Sequence, residues 1–346
     1  MSASRGSHAF LSTIGIDIGK NSFHLVGLDK HGAIVLRRKF SRGQIEKFLA
    51  NKQSCLIGME ACVGAHYLAR QLSALGHDVR MMSARYVKPY LKGQKNDFRD
   101  AEAIAEAVQR PTMRFISHKS EDQLDLQALH RVRSRLIRNR TAVINQIRAF
   151  LLERGIAVRQ GYRHLRQALP DILSAETEKL SPMVVHLLQQ LAEDWRRLDV
   201  RIEDATDEIK SLVAKSEACQ RLMTVPGIGP IIASAMVALI GDGSAFERGR
   251  DFAAWLGLVP RQMSTGDRTV LGRITKRGNS YLRTLFLQGA WVVLMCSKSW
   301  SKYRFGPWLE ANSNRLHRNV LATALANKLA RIAWSVLFQQ NDYQGA

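Results

Sequence analysis

Residues 12–40 hold three strand-length apolar segments separated by little more than turn residues, and no other stretch restricts the fold as much. "STIGIDIG" reads as a short apolar strand ending at Gly19, "SFHLVGLD" alternates, and "GAIVLRRKF" follows the turn signal "DKHG". A helix is predicted near 42–51, then a buried strand in "SCLIGMEA". Residues 64–76 predict a helix, "HDVRMMSA" a strand and 97–109 another helix. Three meandering strands followed by alternating helix and strand predict a mixed α/β domain.

The rest of the chain changes period. Across 121–155, Leu124, Leu126, Leu129, Val132, Leu136, Val143, Ile147 and Leu151 fall near helical spacing, and a second such run covers roughly 183–215 after a loop around Pro170. Two long helices joined by a short region predict an antiparallel coiled-coil arm, or a helix pair in an ordinary bundle. From Arg221 onward, "LMTVPGIGPIIASAMVALIG" places Pro226, Gly227, Gly229 and Pro230 in a tight turn between helical stretches. The remainder reads as helices with loops. The expected organisation is an α/β domain over 1–120, a helical arm over 121–217 and a mostly helical domain over 218–346.

Charge indicates the partner. The chain of 346 residues carries a formal charge of +21, an excess best matched by a polyanion, with nucleic acid first. Both ends are basic and the middle is neutral; within that middle Arg131 to Arg166 is basic and Asp171 to Glu217 rich in acids. The four cysteines, Cys55, Cys62, Cys219 and Cys296, show no zinc spacing and read as core residues in a reducing compartment. No signal-peptide pattern is present, and "LATALANKLARIAWSVLF" holds Lys328 and Arg331, so a packed helix is expected there rather than a membrane span. A cytoplasmic protein acting on the nucleoid follows as the expectation, with no membrane partner.

Against this basic background four acids stand out. Asp17 lies inside the apolar strand "IGIDIG", and Glu60 ends "LIGME". A carboxylate in a buried strand is costly unless paired or bound to metal. Adjacent strands lie about 4.8 Å apart, so two such acids can converge. Asp97 and Asp100 are three residues apart, hence on one helix face. They suit a helix N-terminus as simple partners of its dipole. Together with Asp17 and Glu60 they could instead hold two hard cations about 3.5–4 Å apart, the arrangement that stabilises in-line phosphoryl displacement.

"GIDIGKNSFHLVGLD", "GMEAC" and "KNDFRDAEAIAEA" resemble, in order and spacing, the DEDD motif of RuvC-like, RNase H-fold insertion-sequence recombinases. The resemblance is to the insertion-sequence one-ten family, in its eleven-eleven branch, relatives of the Piv invertase. It implies an RNase H-like N-terminal domain in which Asp17 is the first acid, Glu60 the second, and Asp97 and Asp100 the final pair. Mg²⁺ is the implied cofactor, with Mn²⁺ the alternative.

The likeness continues into "GLVPRQMSTGDRTVLGRITKRGNSYLRTLFLQGA", which resembles the family's transposase domain. There the family uses a serine that attacks the scissile phosphate and becomes a covalent phosphoserine. Counting back without gaps from Lys276-Arg277-Gly278 selects Ser264; counting forward from Pro260-Arg261 with one gap selects Thr265. Ser264 is preferred because the family's nucleophile is a serine. On residue grounds alone Ser264 is a polar loop residue beside Gly266, with no histidine close in sequence to activate it.

Other residues suit phosphate contacts. "VPGIGP", with Gly227 and Gly229, resembles the hairpin of helix-hairpin-helix modules, although a plain helix turn reads equally well. Arg273, Lys276, Arg277 and Arg283 cluster around a Gly turn. The resemblance implies a recombinase that excises and inserts its own element, pairing with element ends and target DNA through a structured noncoding bridge RNA. It also implies a tetramer of two dimers, in which one subunit's acids serve another's serine and the helical arm supports dimerisation. Two rivals stay open: a structure-selective junction nuclease using the same acids with metal-activated water, and a nucleic-acid-binding protein without catalysis.

Overall fold

A computed structural model describes residues 11–94, 96–174 and 179–345. Residues 1–10 of the expected N-terminal domain, Lys95 of the acidic motif, and Glu176 and Glu178 of the acid-rich run lie outside the described residues. The chain divides into two compact units, Met1–Ser120 and Glu121–Ala346.

The first unit is mixed α/β. In chain order it contains β1 (Thr13–Ile18), β2 (Ser22–Leu28), β3 (Ile34–Ser41), α1 (Arg42–Ala50), β4 (Leu56–Glu60), α2 (Ala65–Ala74), β5 (Asp78–Met82), the single turn α3 (Ala84–Val87), α4 (Asp97–Ala107) and β6 (Phe115–Ile116). The sheet order is β3-β2-β1-β4-β5-β6. The pairs β1–β2 and β2–β3 are antiparallel, whereas β4 joins β1, and β5 joins β4, in parallel. This follows from connection length, since the three- and five-residue turns allow only hairpins and the longer links through α1 and α2 allow crossovers. Ile14, Ile16, Leu25, Ile57 and Met59 are buried and form the core with Leu68 and Leu72 of α2.

One glycine sets how α4 meets the sheet. A Cβ at Gly15 would stand 2.0 Å from the Ala101 carbonyl oxygen and 2.5 Å from the Ala105 nitrogen. Only glycine permits that approach. The alanines of "DAEAIAEA" complete the fit, for Ala101 and Ala105 are buried beside Val26 and Leu28.

The second unit is helical apart from one hairpin. It contains α5 (Glu121–Leu152), α6 (Tyr162–Ser174), α7 (Pro182–Ala214), α8 (Glu217–Met223), α9 (Pro230–Ile240), α10 (Gly249–Trp255), β7 (Pro260–Thr265), β8 (Arg268–Ile274), α11 (Ser280–Met295), α12 (Gly306–Ser313) and α13 (Arg318–Gln339). Helices α5 and α7 run antiparallel: Arg133 donates to Thr206 at 2.7 Å, Arg140 meets Asp199 at 3.0 Å, and Leu151 shares a cluster with Leu188. The basic and acid-rich halves of the sequence's middle therefore partly neutralise each other across this helix pair.

The structure departs from the sequence reading in three places. The region of Pro170 is helix α6, not a loop. Leu165 and Leu169 hold that helix against its neighbours, and Pro170 is exposed, so the backbone bond it cannot make is lost on the solvent side. Residues 260–274, expected among helices and loops, form the antiparallel β7–β8 hairpin. Its two-residue turn begins with Gly266 at φ +55°, the conformation a tight hairpin requires. Third, Cys55 and Cys219 are buried but Cys62 and Cys296 are exposed.

Helix α13 is long and apolar enough to cross a membrane, yet Leu325, Leu329, Ala330 and Ala333 lie in the core of this unit. A buried polar network ties α5 to α9 and α11. Ser234 donates to the Pro230 carbonyl at 2.6 Å, so its oxygen accepts from His130 Nε2 at 3.0 Å, leaving Nδ1 to accept from the Tyr281 hydroxyl at 3.0 Å. This arrangement requires neutral imidazole, and burial, helped by Arg133, brings the His130 pKa down to about 4.

Candidate metal centre and serine hairpin

The acidic site is assembled by three elements of the first unit. Parallel pairing sets Ile16 opposite Met59, so Asp17 and Glu60 are the next residues along the adjacent strands β1 and β4. The Gly15 contact brings α4 over the same part of β1. The start of α4 is fixed by Asn96, whose side chain accepts the Phe98 N–H at 2.9 Å. Asn96, rather than either aspartate, caps the helix, and Asp97 and Asp100 occupy its first turn. Their carboxylates are thus available for another role.

Asp17, Asp97 and Asp100 each offer a carboxylate oxygen, and the three oxygens lie within 4.8 Å of one another. Glu60 is outside that group but within its field. Burial, then the charges of Asp17 and Asp100, raise its carboxyl above the ordinary value, and Lys88 offsets part of the effect. Acids gathered against mutual repulsion, with an all-oxygen donor set, match what a hard divalent cation requires.

Sequence reasoning missed His24. It lies on β2 directly opposite Asp17 in the antiparallel register, and it is 8% exposed. Its Nδ1 faces Asp97 Oδ2 at 3.5 Å, beyond ordinary hydrogen-bond length, and is a buried nitrogen without a hydrogen-bond partner. The Phe98 ring stands edge-on to the imidazole at 4.9 Å. The available signal was the strand pairing, which places residue 24 beside residue 17 once the "GKNS" turn is drawn.

The serine belongs to the second unit. Ser264 on β7 pairs with Thr269 on β8, and both strands are exposed except at Ile274. Gln262 Nε2 donates to Ser264 Oγ at 2.8 Å, and Thr269 Oγ1 lies 3.3 Å away. Thr265 is the last residue of β7, paired with Arg268, and strand alternation turns it to the opposite face. The two candidate nucleophiles therefore face different directions.

The residues read as phosphate contacts are differently engaged. Arg273, Lys276 and Arg277 are exposed. Arg283 donates to the Leu256 and Arg277 carbonyls at 2.9 and 3.2 Å and so braces the turn from within. That turn is tight: a Cβ at Gly278, φ +80°, would stand 1.7 Å from the Trp255 carbonyl oxygen. Gly227, φ +81°, backs onto α11, where a Cβ would meet the Gly289 carbonyl at 2.7 Å, so both its backbone angle and its packing call for glycine. Gly229 caps α9 with open space where its Cβ would be.

Two family descriptions match this chain: a DEDD-type IS110 transposase model over residues 14–155, and one described as the transposase IS116/IS110/IS902 family over residues 219–304. The "Transposase for insertion sequence element IS1328" of Yersinia enterocolitica is 46% identical over 95% of this chain and 97% of its own. A "Probable family 20 transposase" of Pseudomonas aeruginosa is 45% identical over 96% and 99%. The "Transposase for insertion sequence element IS1111A" of Coxiella burnetii is 38% identical over 98% and 93%.

Proposed function

The chain belongs to the IS116/IS110/IS902 transposase family, and from that premise we propose that it recombines its own insertion sequence by attack of Ser264 on a DNA phosphate. As a transposase of this family it is an enzyme of DNA cleavage and rejoining, with DNA as its partner. The sheet order with β2 and β3 antiparallel on one side of β1, and β4 and β5 parallel on the other, supports reading the first unit as RNase H-like, of the RuvC kind.

The observation that carries the proposal is the convergence of Asp17, Asp97 and Asp100 beside a Glu60 whose carboxyl is raised by burial and by the charges of Asp17 and Asp100. These four residues would hold the divalent cation, Mg²⁺ first and Mn²⁺ second. When bound it would offset charge on the scissile phosphate and make an approaching hydroxyl easier to ionise. Ser264 Oγ then forms a bond to phosphorus as the bond to one sugar oxygen breaks. The serine proton is released to water, and the departing sugar oxygen takes one up. The phosphodiester stays at equal count, now linking DNA to Ser264, until a second strand's hydroxyl displaces the serine and restores its O–H. Gln262, donating to Oγ, leaves the hydroxyl hydrogen free to be removed and orients the oxygen.

Guidance by a structured noncoding RNA and assembly through dimers to a tetramer are part of the same proposal. The basic ends of the chain support the first. Val200, Leu187 and Met183 of α7, exposed by 58, 39 and 74%, support the second as apolar surface for a helical dimer contact. Cleavage of element-end DNA by Asp17→Asn, Asp97→Asn and Asp100→Asn variants tests the acid site. Retained cleavage in all three would leave the carboxylates a structural role. RNA that copurifies with the protein, and whose digestion abolishes recombination, tests the guide.

A further inference from the structure

The second unit contains a cavity of about 1020 Å³ whose walls include no residue of the serine hairpin and carry Arg248, Arg250, Arg304, Lys328 and Arg331 against one acid, Asp342. None of these five cations takes part in a salt bridge among the described residues. Burial, then the neighbouring charge of Arg331, lowers the Lys328 pKa. The four arginines are exposed and Lys328 lies over the Trp308 ring at 5.0 Å, so together they present a concave basic surface whose sign and shape suit an anion.

The wall has a regular origin. Lys328, Arg331, Ser335 and Gln339 recur along α13 at helical spacing and line the cavity, while the opposite face of the helix fills the core. That stripe extends about 16 Å along the helix, the reach of several successive phosphates on one DNA strand. Of the cavity's three aromatic residues, Tyr343 is half-buried, packs beside Phe305 with ring centroids 6.4 Å apart and accepts the Arg304 N–H at 3.1 Å. Phe305 and Trp334 are 4 and 9% exposed, and the Trp334 indole N–H donates to the Gly243 carbonyl at 3.0 Å. Sites for single-stranded nucleic acid combine charge with exposed aromatic platforms. This one has the charge but no fully exposed aromatic platform among its described residues.

We propose that this cavity is a sequence-independent binding site for the phosphate backbone of duplex DNA, separate from the residues that cut it. The inference rests on the transposase reading for its choice of DNA, but its test needs no catalysis. Binding of a 30-base-pair duplex of unrelated sequence, about three helical turns, is followed by fluorescence anisotropy over a salt series in EDTA. The variants are Arg248→Gln with Arg250→Gln, and Lys328→Gln with Arg331→Gln. Arg196→Gln with Arg201→Gln on the exposed face of α7 removes the same charge elsewhere.

Each cavity pair is expected to reduce the slope of log K against log salt by about 2, with at least about tenfold weaker binding at low salt. The α7 pair is expected to leave the slope near wild type, and Arg331→Lys to retain it. Cavity variants no different from the α7 pair would overturn the proposal. So would loss of binding to single-stranded RNA with duplex binding intact. A melting temperature near wild type excludes misfolding, and strand cleavage in Mg²⁺, scored separately with the Ser264 and aspartate variants, reports on the catalytic reading alone.

Discussion

Asp17 and Glu60 are the next residues beyond the paired Ile16 and Met59 on parallel strands, and the charge of Asp17 adds to burial in raising the Glu60 carboxyl. Because the Glu60 carboxyl is raised in the fold, its favourable contribution is complete below the ordinary carboxylate value. It is lost as pH rises through the folded value. At neutral pH the ionised group therefore weakens the metal-free protein. Glu60→Gln should melt higher than wild type at neutral pH without metal, and the gain should shrink near about pH 4. Added Mg²⁺ should stabilise wild type more than the variant. A lower melting temperature for metal-free Glu60→Gln would contradict this electrostatic account.

Asp97 and Asp100 do not cap α4, since Asn96 does. Asp100→Asn should therefore lower strand cleavage by about 10³-fold or more while stability stays within about 0.5 kcal/mol. Asn96→Ala should do the reverse, costing about 1 kcal/mol of stability. Thermal melts and cleavage assays on the same two variants separate these roles. Equal stability losses would put Asp100 back among the capping residues.

His24 aims a buried nitrogen at Asp97. A residue that orients a ligating carboxylate is usually worth about 10–100-fold in metal affinity. His24→Ala should weaken Mn²⁺ binding, measured by calorimetry, within that range, and His24→Asn should recover part of it. Unchanged Mn²⁺ affinity in His24→Ala would reduce His24 to a packing residue.

His130 is held neutral between Ser234 and Tyr281, with its pKa brought down to about 4 from 6.5. The depressed value makes its contribution complete above about 6.5 and lost as pH falls towards about 4, up to about 3 kcal/mol. Denaturant unfolding of the whole protein should show a loss over that window. His130→Gln should flatten the part due to the second unit. A wild-type profile level from neutrality to about pH 4 would show that the network tolerates the charged imidazole.

Much of the first unit was legible because short turns and strand-length runs admit few topologies. Asp17 and Glu60 drew notice as charges in "IGIDIG" and "LIGME", whereas Asp97 and Asp100 read equally as a helix start and joined them through the DEDD resemblance. His24 was not, since its importance comes from cross-strand register rather than from its neighbours in sequence. The β7–β8 hairpin was hidden because "RQMSTGDRTVLGR" is polar and carries no buried face, so it lacks the alternation that reveals a strand. Pro170 misled for a related reason: local propensity argued for a loop, and the burial of Leu165 and Leu169 outweighed it. The choice between Ser264 and Thr265 was a matter of counting in the sequence, whereas in the hairpin they occupy opposite faces, which makes them separable by experiment.

The most direct test is to trap the protein on element-end DNA carrying a nick beside the cleavage site, in Mg²⁺, and map the modified peptide by mass spectrometry. A DNA-derived phosphate on Ser264, present in wild type and Thr265→Ala and absent from Ser264→Ala and Asp100→Asn, is the predicted result. Cleavage by Ser264→Ala at the wild-type rate with no adduct on any residue would contradict it and leave metal-activated water as the nucleophile.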